Sequence, residues 1–378
     1  MKKGSFISES GDNPLISMHE SKKLRIVYIT KNFPPLPRIS GTQKYATYLC
    51  VELNKISDLT VIALDNLPMD QKGKQTEFKT IRAGQPFAVK AVLAAKKERP
   101  DVVVFGSGIS SSFWLAPTLF FMRLALGSTP FVLHQLTEFN GKALPGLLQA
   151  GSQFVDKIVC ANNSLYKYFS KPAGNKAVLL LPGLDLSQFP VRENKKGKKI
   201  RIGFFGHFHY VKGPDRLLRA FKQLQLPNAE LVFSGIDYED GAMLKQMQQQ
   251  IKGMHGIAFL GTSENYLQLL QSCDFVVLPF RASGSVLGVS MAAIEAMAAG
   301  KPVIGSNVSV LNSIIEHKRN GLVVESDQQL ADAIKLLSTD SKLRWRLSQG
   351  ARKTAEEKFD IAGSSEKFLQ ICRQTIKK

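Results

Sequence analysis

The sequence of 378 residues has few cysteines, no long hydrophobic run and a shortage of acidic residues. Its four cysteines are too few and too scattered for a disulfide framework or a cysteine-rich zinc site, so we expect reduced thiols and a cytoplasmic location. No run of about 18 apolar residues occurs, which argues against an ordinary transmembrane helix. With 44% hydrophobic residues, the chain can nevertheless bury large cores, and it is not a mainly disordered protein.

The shortage of acidic residues leaves a net charge of +19, from 50 Lys and Arg against 31 Asp and Glu. Residues 1–190 carry 23 basic and 13 acidic residues and the remainder 27 and 18, so the excess is not a basic tail. Such a field favours an anionic partner, either a phosphorylated substrate or a membrane surface. No RNP-like aromatic string, zinc finger or recognition helix accompanies it, so we expect no nucleic-acid partner. A basic protein without any such partner is the alternative.

Short apolar runs alternate with stretches able to form helices, which predicts β-α units around parallel sheets. Six such runs lie in the first half of the chain, at residues 24–30, 59–64, 101–105, 130–134, 157–161 and 176–181. Six more lie in the second half, at residues 200–205, 230–234, 257–260, 274–278, 302–304 and 321–324. The chain is about twice as long as one hydrophobic core supports, so we predict an α/β protein with two Rossmann-like domains facing across a deep cleft.

The composition along the chain sets the predicted domain boundaries. Residues 1–22 are polar and are predicted to be a disordered tail, followed by a Rossmann-like domain at residues 23–190. A lysine-rich stretch places the linker at residues 191–199. The second Rossmann-like domain is predicted at residues 200–360. Residues 361–378 are predicted to be a helix that crosses back to the first domain.

Two loops of the second half follow predicted strands directly, where open α/β sheets bind their ligands. Loop 206–213 combines glycines with His207 and Lys212, which suits a phosphate site, although many β-α turns carry Gly and Lys. Ser234 and Gly235 end the next strand, where a glycine permits the close approach of a ligand.

A third loop, at residues 281–288, leads into a helix rich in small residues. The backbone amides of Ser290 and Met291 at the start of this helix would face a diphosphate. Glu295 lies further along the same apolar helix, where a carboxylate costs free energy unless it finds donors. Two interpretations of Glu295 stay open: a satisfied carboxylate at a helix contact, or an acceptor for the vicinal hydroxyls of a ribose.

Several segments resemble those of the family 4 glycosyltransferases, which are retaining enzymes of the GT-B fold. The resemblance is carried by residues 206–220, 273–279 and 295–304, by the interdomain-like segment 181–189, and by residues 316–324. It covers residues 24–376 and is most specific from residue 182 to residue 324.

The resemblance implies a role for particular residues of the predicted cleft. Gly41 would lie beside the diphosphate, and His134 would be a catalytic histidine near the donor sugar. Lys212 would be catalytic by neutralising the leaving diphosphate, and Glu295 would bind the ribose. The other implied donor-binding residues are His207, Ser234, Gly235, Ser290 and Met291.

The sequence departs from the family pattern at two positions. His207 replaces the arginine that pairs with the loop lysine, and Leu287 replaces the first glutamate of the Glu-x7-Glu motif, which holds donor-sugar hydroxyls. Nucleotide binding is therefore better supported than binding of any particular sugar. The candidates for contacts with the donor sugar are Ser283, Ser285, Leu287 and Gly288.

The resemblance implies a retaining glycosyltransferase that moves a sugar from a nucleotide-sugar donor, bound by the second domain, to a lipid-linked or saccharide acceptor on the side of the first domain. It also implies that no cofactor and no metal are needed, and the sequence has no Asp-x-Asp motif. Two alternatives stay open: a nucleotide-sugar epimerase on the same GT-B scaffold, and a catalytically impaired sugar-nucleotide-binding protein, which the change at Leu287 favours.

The apolar segment 113–124 allows two interpretations. It is too short to span a bilayer, and it reads most simply as a core helix of the first domain. Together with the charge of +19 it also fits peripheral association with the anionic inner face of a membrane.

Overall fold

A computed structural model describes residues 23–31, 33, 41–64, 78–139, 144–191, 199–237, 241–261, 265–283 and 290–376. Within these ranges two parallel sheets, each flanked by helices, follow one another along the chain. The predicted α/β architecture with two Rossmann-like domains is confirmed.

The sheet of the first domain has seven strands in the order β3-β2-β1-β4-β5-β6-β7, and every pairing is parallel. Its strands are β1 (Arg25–Thr30), β2 (Asp58–Leu64), β3 (Lys79–Ala83), β4 (Val102–Ser107), β5 (Phe131–Gln135), β6 (Lys157–Cys160) and β7 (Ala177–Leu179). Its helices are α1 (Gly41–Ile56), α2 (Phe87–Lys97), α3 (Ser112–Leu126), α4 (Pro145–Ser152) and α5 (Asn163–Ala173).

The sheet of the second domain has six parallel strands in the order β10-β9-β8-β11-β12-β13. Its strands are β8 (Ile200–Phe205), β9 (Ala229–Ser234), β10 (Ile257–Phe259), β11 (Phe275–Leu278), β12 (Val303–Ser306) and β13 (Gly321–Val324). The helices that follow β8 are α6 (Pro214–Leu224), α7 (Ala242–Gln250), α8 (Tyr266–Ser272), α9 (Met291–Ala298), α10 (Ser309–Asn312), α11 (Asp327–Thr339), α12 (Ser341–Lys358) and α13 (Ile361–Ile376).

All twelve predicted strands are present, and the structure adds β3. Its sequence Lys-Thr-Ile-Arg-Ala alternates polar and apolar residues instead of forming an apolar run, because β3 is an edge strand that pairs only with β2 and is half-buried. The predicted tail at residues 1–22 and the linker residues 192–198 lie outside the described residues.

The last helix, α13, packs against α1 and the strands β4 and β5 of the first domain. The chain reaches it through a short parallel bridge, in which the Leu184 amide donates to the Phe359 carbonyl at 2.9 Å and the Ile361 amide donates to the Leu184 carbonyl at 3.1 Å. A Cβ on Gly183 would lie 2.8 Å from the Ile361 Cα, so glycine permits this close approach. The segment that leaves the first domain at Leu184 and the segment that returns to it at Ile361 are therefore hydrogen-bonded to each other.

Phe368 on α13 is fully buried, and its ring lies 5.1 Å from the His134 ring on β5. We expect Phe368→Ala to lower the free energy of unfolding by about 3–5 kcal/mol, because the change leaves a cavity between α13 and the first sheet. Urea denaturation measures this loss. Ile376→Ala, on the same helix but 36% exposed, is the matched control and should cost far less. Equal losses for the two variants would contradict the docking of α13 on the first domain.

Candidate active site

The order of the strands places a crevice at the carboxyl ends of both sheets. In the second sheet, β8 has β9 on one side and β11 on the other, and in the first sheet β1 lies between β2 and β4. The chain leaves the two neighbours of such a strand in opposite directions, which opens a crevice where ligands of doubly wound sheets bind. The loops that follow β8 and β11 and the start of α1 lie at these points.

The loop after β8 brings His207 and Lys212 together. The Lys212 ammonium is half-buried and lies 4.1 Å from the centre of the Phe280 ring, and burial lowers the pKa of Lys212 to about 8. Burial, with a contribution from the Lys212 charge, lowers the pKa of His207 to about 4. At neutral pH His207 is therefore uncharged, and Lys212 is the charged member of the pair.

The loops after β8 and β11 are joined by ionic and backbone contacts. Arg281 binds Asp215 with two hydrogen bonds of 2.8 and 2.6 Å, and its guanidinium stacks on the Tyr210 ring at 4.0 Å. Gly213 has a positive φ of 66°, and a Cβ there would lie 2.2 Å from the Pro279 carbonyl oxygen. Both the positive φ and the close contact require glycine at this position. The loop that carries Lys212 is therefore fixed against the loop that follows β11.

Ser234 and Gly235 meet protein backbone instead of the open cleft. A Cβ on Gly235 would lie 1.6 Å from the carbonyl oxygen of Gly206, and the Ser234 hydroxyl donates to the Gly261 carbonyl at 3.0 Å. The prediction that Gly235 leaves room for a ligand therefore needs correction, because the space is taken by Gly206. The pair shapes the loop that carries His207.

Helix α9 begins as predicted, with Ser290 as its N-cap. The Ser290 hydroxyl accepts a 3.4 Å hydrogen bond from the Ala293 amide, and both Ser290 and Met291 are buried. Glu295 is only 2% exposed. A carboxylate so deeply buried needs donors, and the structure supplies two.

The two donors to Glu295 come from different domains. The Lys44 ammonium on α1 lies 2.6 Å from Glu295 Oε1, and the Tyr266 hydroxyl on α8 donates to Glu295 Oε2. Burial opposes the charge of Lys44, but the attraction of Glu295 and their hydrogen bond outweigh it and raise the pKa of Lys44. Burial and the Glu295 charge raise the pKa of Tyr266, which keeps the proton it donates.

Sequence reasoning missed Lys44 and Tyr266. Lys44 lies three positions after Gly41, where α1 begins, so its place in the first turn of a helix at the crevice was a usable signal. Tyr266 opens a helix 29 residues before Glu295, and only the tertiary structure brings the two together. The interpretation of Glu295 as a satisfied carboxylate at a helix contact agrees with these two hydrogen bonds.

A second polar contact crosses between the domains near the predicted sugar loop. The Ser283 hydroxyl is 2.8 Å from the Ser309 hydroxyl, which is 3.5 Å from Glu138 of the first domain. Glu138 is held by the Asn162 side-chain amide at 2.5 Å, and burial raises its pKa. Of the predicted sugar contacts, Ser285, Leu287 and Gly288 lie outside the described residues.

His134 does not reach the cleft, contrary to the prediction. It is fully buried on β5, its Nδ1 is 3.1 Å from the Tyr28 hydroxyl, and its ring packs against the rings of Tyr45 and Phe368. Burial lowers its pKa to about 3, so the imidazole is neutral. Alternation along β5 turns this side chain towards α1 and α13, where it fills the core of the first domain.

The described cleft residues can bind an anion and a pair of hydroxyl groups. Lys212 offers a positive charge, the start of α9 offers backbone amides, and Glu295 offers a charged acceptor. Among the described residues, no group of three or more His, Cys, Asp or Glu side chains could hold a metal ion. Within the same ranges, no helix is long and apolar enough to cross a membrane.

Residues 187–354 match the family model for Glycosyl transferases group 1. An uncharacterized glycosyltransferase of Methanocaldococcus jannaschii is 34% identical over 166 residues, which cover 42% of this chain and 40% of that protein. Other curated relatives are likewise matched over about half of their length. Spore coat protein SA of Bacillus subtilis is 22% identical over 92% of this chain and 99% of that protein.

Among solved structures, Anabaena HepE in complex with UDP superposes with a TM-score of 0.76 and 17% identity. The superposition covers 93% of this chain and 100% of that chain. The superposition shows that this chain has the GT-B fold.

The pKa of Lys212 predicts how the affinity for a nucleoside diphosphate changes with pH. Below about pH 8 the ammonium is charged before and after binding, and it contributes no pH dependence. A bound diphosphate raises the pKa of Lys212, so binding above about pH 8 takes up a proton and weakens by up to about tenfold per pH unit. Calorimetric titrations between about pH 7 and pH 10 measure this decline.

Lys212→Arg is the matched variant, since a guanidinium stays charged over the whole range. Its affinity should be nearly independent of pH. A decline that is the same in the variant and the wild-type protein would remove Lys212 from the diphosphate site.

Proposed function

We propose that the protein is a retaining glycosyltransferase of family 4 that moves a sugar from a nucleotide-sugar donor to a lipid-linked or saccharide acceptor. The observation that carries the proposal is that the second domain holds both a cation, Lys212, and a buried carboxylate, Glu295, on the loop after β8 and the helix after β11. The glycosyl transferases group 1 domain and the named relatives support a transferase enzyme. The UDP bound to Anabaena HepE supports a nucleotide-sugar donor.

In this proposal the diphosphate of the donor lies between the loop after β8 and the start of α9. Lys212 neutralises one of its charges, and the backbone amides of Ser290 and Met291 donate hydrogen bonds. The ribose hydroxyls bind the Glu295 carboxylate. Gly41 and His207 border the same site, and no metal or organic cofactor is needed.

The proposed transfer breaks the bond between C1 of the donor sugar and the diphosphate oxygen, and forms a bond from C1 to the acceptor oxygen. The proton of the acceptor hydroxyl passes to the departing diphosphate on the same face of the sugar, which retains the anomeric configuration. No covalent nucleophile is assigned. The protein contributes by stabilising the negative charge of the leaving group, which Lys212 and the α9 amides do without reorganising.

A panel of nucleotide-sugars, beginning with UDP-sugars, tests the proposal when it is incubated with and without lipid and saccharide acceptors. Transfer to an acceptor with the donor's anomeric configuration, read by NMR, is the expected result. Isomerisation of the donor in the absence of acceptor would identify an epimerase instead. Tight nucleotide binding without turnover of any donor would identify the impaired binding protein that the change at Leu287 suggests.

For the donor site, we expect Glu295→Gln to weaken nucleotide binding about 10- to 100-fold, because the ribose hydroxyls lose a charged acceptor worth about 1.5–3 kcal/mol. The amide keeps the shape of the side chain and an oxygen for the Tyr266 hydroxyl. Titration calorimetry with UDP, GDP and ADP measures the change. Glu316→Gln, at a half-buried carboxylate of the same domain that pairs with Arg319 and Lys358, is the control. Unchanged affinity in a folded Glu295→Gln protein would refute the ribose role.

We also propose that the acceptor is presented at an anionic membrane, on which the first domain docks through α2, α3, α4 and α5. These four helices pack side by side and contain no acidic residue. Helix α3 buries Leu115, Leu119 and Met122 against the domain, and its other side is exposed and apolar. The exposed apolar residues of the four-helix surface are Val89, Leu93, Phe113, Trp114, Phe120, Phe121, Leu124, Leu144, Tyr166 and Tyr168.

Charge and apolar area coincide on this surface. Exposed lysines from two of the helices accompany the aromatic side chains, and they are Lys90, Lys96, Lys97, Lys167 and Lys171. Aromatic side chains suit the interface of a bilayer, and each basic residue near an anionic surface adds about 1 kcal/mol of attraction. Such a surface fits anionic phospholipid.

We expect the protein to sediment with vesicles of phosphatidylglycerol and phosphatidylcholine at low salt, and to be released at high salt. Replacing Phe113, Trp114 and Phe121 together by serine should abolish sedimentation, because all three side chains are more than 60% exposed and their loss leaves the fold intact. Trp345→Ser, at an equally exposed aromatic of the second domain, should change nothing. Binding that resists salt, or that survives the triple substitution, would contradict the docking surface.

A further inference from the structure

The donor site described above has less positive charge than a diphosphate requires. A nucleoside diphosphate carries at least two negative charges, whereas the loop 206–213 contains a single lysine, Lys212, and no arginine. In the part of the chain that the structure describes, no carboxylate pairs with Lys212, so that cation is available to a ligand. A second cation is needed for the diphosphate to be neutralised.

Lys44 of the first domain is linked to this loop by a continuous set of contacts, whereas Arg281, which touches the loop directly, is bound to Asp215. The Lys44 ammonium lies 4.8 Å from the centre of the Tyr266 ring, and that ring lies 5.3 Å from the ring of Phe205. Phe205 is the last residue of β8, and the loop follows it directly. Helix α1 thus places a positive charge against Tyr266, whose ring packs on the last residue of the strand that leads into the loop.

In the ion pair of Lys44 with Glu295, the carboxylate is fixed and the ammonium is able to move. Glu295 is 2% exposed and is also held by Tyr266, whereas the Lys44 side chain is 35% exposed. A lysine ammonium sits on a flexible four-carbon stem, and water reaches it here. The carboxylate is the fixed partner, and the ammonium is the partner that a ligand displaces.

We propose that Lys44 is the second diphosphate-binding cation, and that donor binding exchanges its partner from the Glu295 carboxylate to the diphosphate. The ribose hydroxyls take the place of the ammonium on Glu295. Every charge keeps a partner in this exchange, because carboxylate and ammonium each give up one contact and gain another. The inference rests on the proposed nucleotide-sugar site and adds a residue of the first domain to it.

The exchange predicts opposite effects on two ligands. A nucleoside has a ribose but no phosphate, so its binding displaces Lys44 from Glu295 and offers the ammonium nothing. Lys44→Met should therefore leave the affinity for the nucleoside equal or stronger, and should weaken the affinity for the nucleoside diphosphate about tenfold or more. Lys44→Arg keeps the charge and should preserve the preference for the diphosphate.

Titration calorimetry measures two dissociation constants, one for whichever of UDP, GDP and ADP binds the wild-type protein best and one for its nucleoside. The ratio compared between variants is the dissociation constant of the nucleoside divided by that of the nucleoside diphosphate. Lys55→Met is the matched control, since Lys55 lies on the same helix, is exposed and pairs with Glu52. A fall in the ratio in Lys44→Met, with Lys44→Arg and Lys55→Met close to wild type, is the expected result. An unchanged ratio, or equal losses for both ligands, would overturn the inference.

Lys44→Met alone leaves the buried Glu295 carboxylate without its ammonium partner, which destabilises the fold. A double variant avoids this loss of stability. Lys44→Met is introduced into Glu295→Gln, where no buried charge is left without a partner. If Lys44 contacts the diphosphate, the ratio should fall again relative to Glu295→Gln alone. If it acts only through Glu295, the ratio should not change, and the inference fails while the proposed function stands. A wild-type protein that binds none of the three nucleotides would overturn both.

Discussion

A buried carboxylate sets the geometry of the crevice. Glu295 lies inside an apolar helix with 2% of its surface exposed, and at that depth an ionised group is stable only with donors on both oxygens. One donor, Tyr266, comes from its own domain, and the other, Lys44, comes from the first domain. The requirement to satisfy one side chain therefore ties the two domains together at the point where a ligand would enter.

The rest of the site follows from the way parallel sheets are wound. Both sheets reverse their strand order around a central strand, β1 in the first domain and β8 in the second. The loop of His207 and Lys212 therefore follows the carboxyl end of β8, and Glu295, on the helix after β11, pairs with Lys44 on α1. Glycines allow the dense packing there: Gly213 approaches the Pro279 carbonyl, and Gly235 approaches the Gly206 carbonyl. The cations and the carboxylate are held by backbone that has little room to shift.

Much of the fold could be predicted because buried parallel strands read as apolar runs. The edge strand β3 was not predicted, because a half-buried strand needs only alternate apolar residues and so lacks an apolar run. The candidate loops could also be predicted, because glycine, lysine and the start of a helix are local signals. Interactions between domains could not: nothing near Glu295 in the sequence points to Lys44, which is 251 positions away.

The errors at single residues have the same origin. His134 ends an apolar run, which is compatible with either face of the sheet, and only the packing of α13 shows that it turns into the core. Gly235 was predicted to allow the close approach of a ligand, but the group that approaches it is backbone of the same domain. A sequence motif thus locates a contact more reliably than it identifies the partner.

A crystal structure of the protein with a bound nucleoside diphosphate would show whether Glu295 binds the ribose and Lys212 binds the diphosphate. We expect ribose hydroxyls within hydrogen-bonding distance of the Glu295 carboxylate, and the diphosphate between Lys212 and the start of α9. A nucleotide bound elsewhere, or a ribose that makes no contact with Glu295, would contradict this expectation.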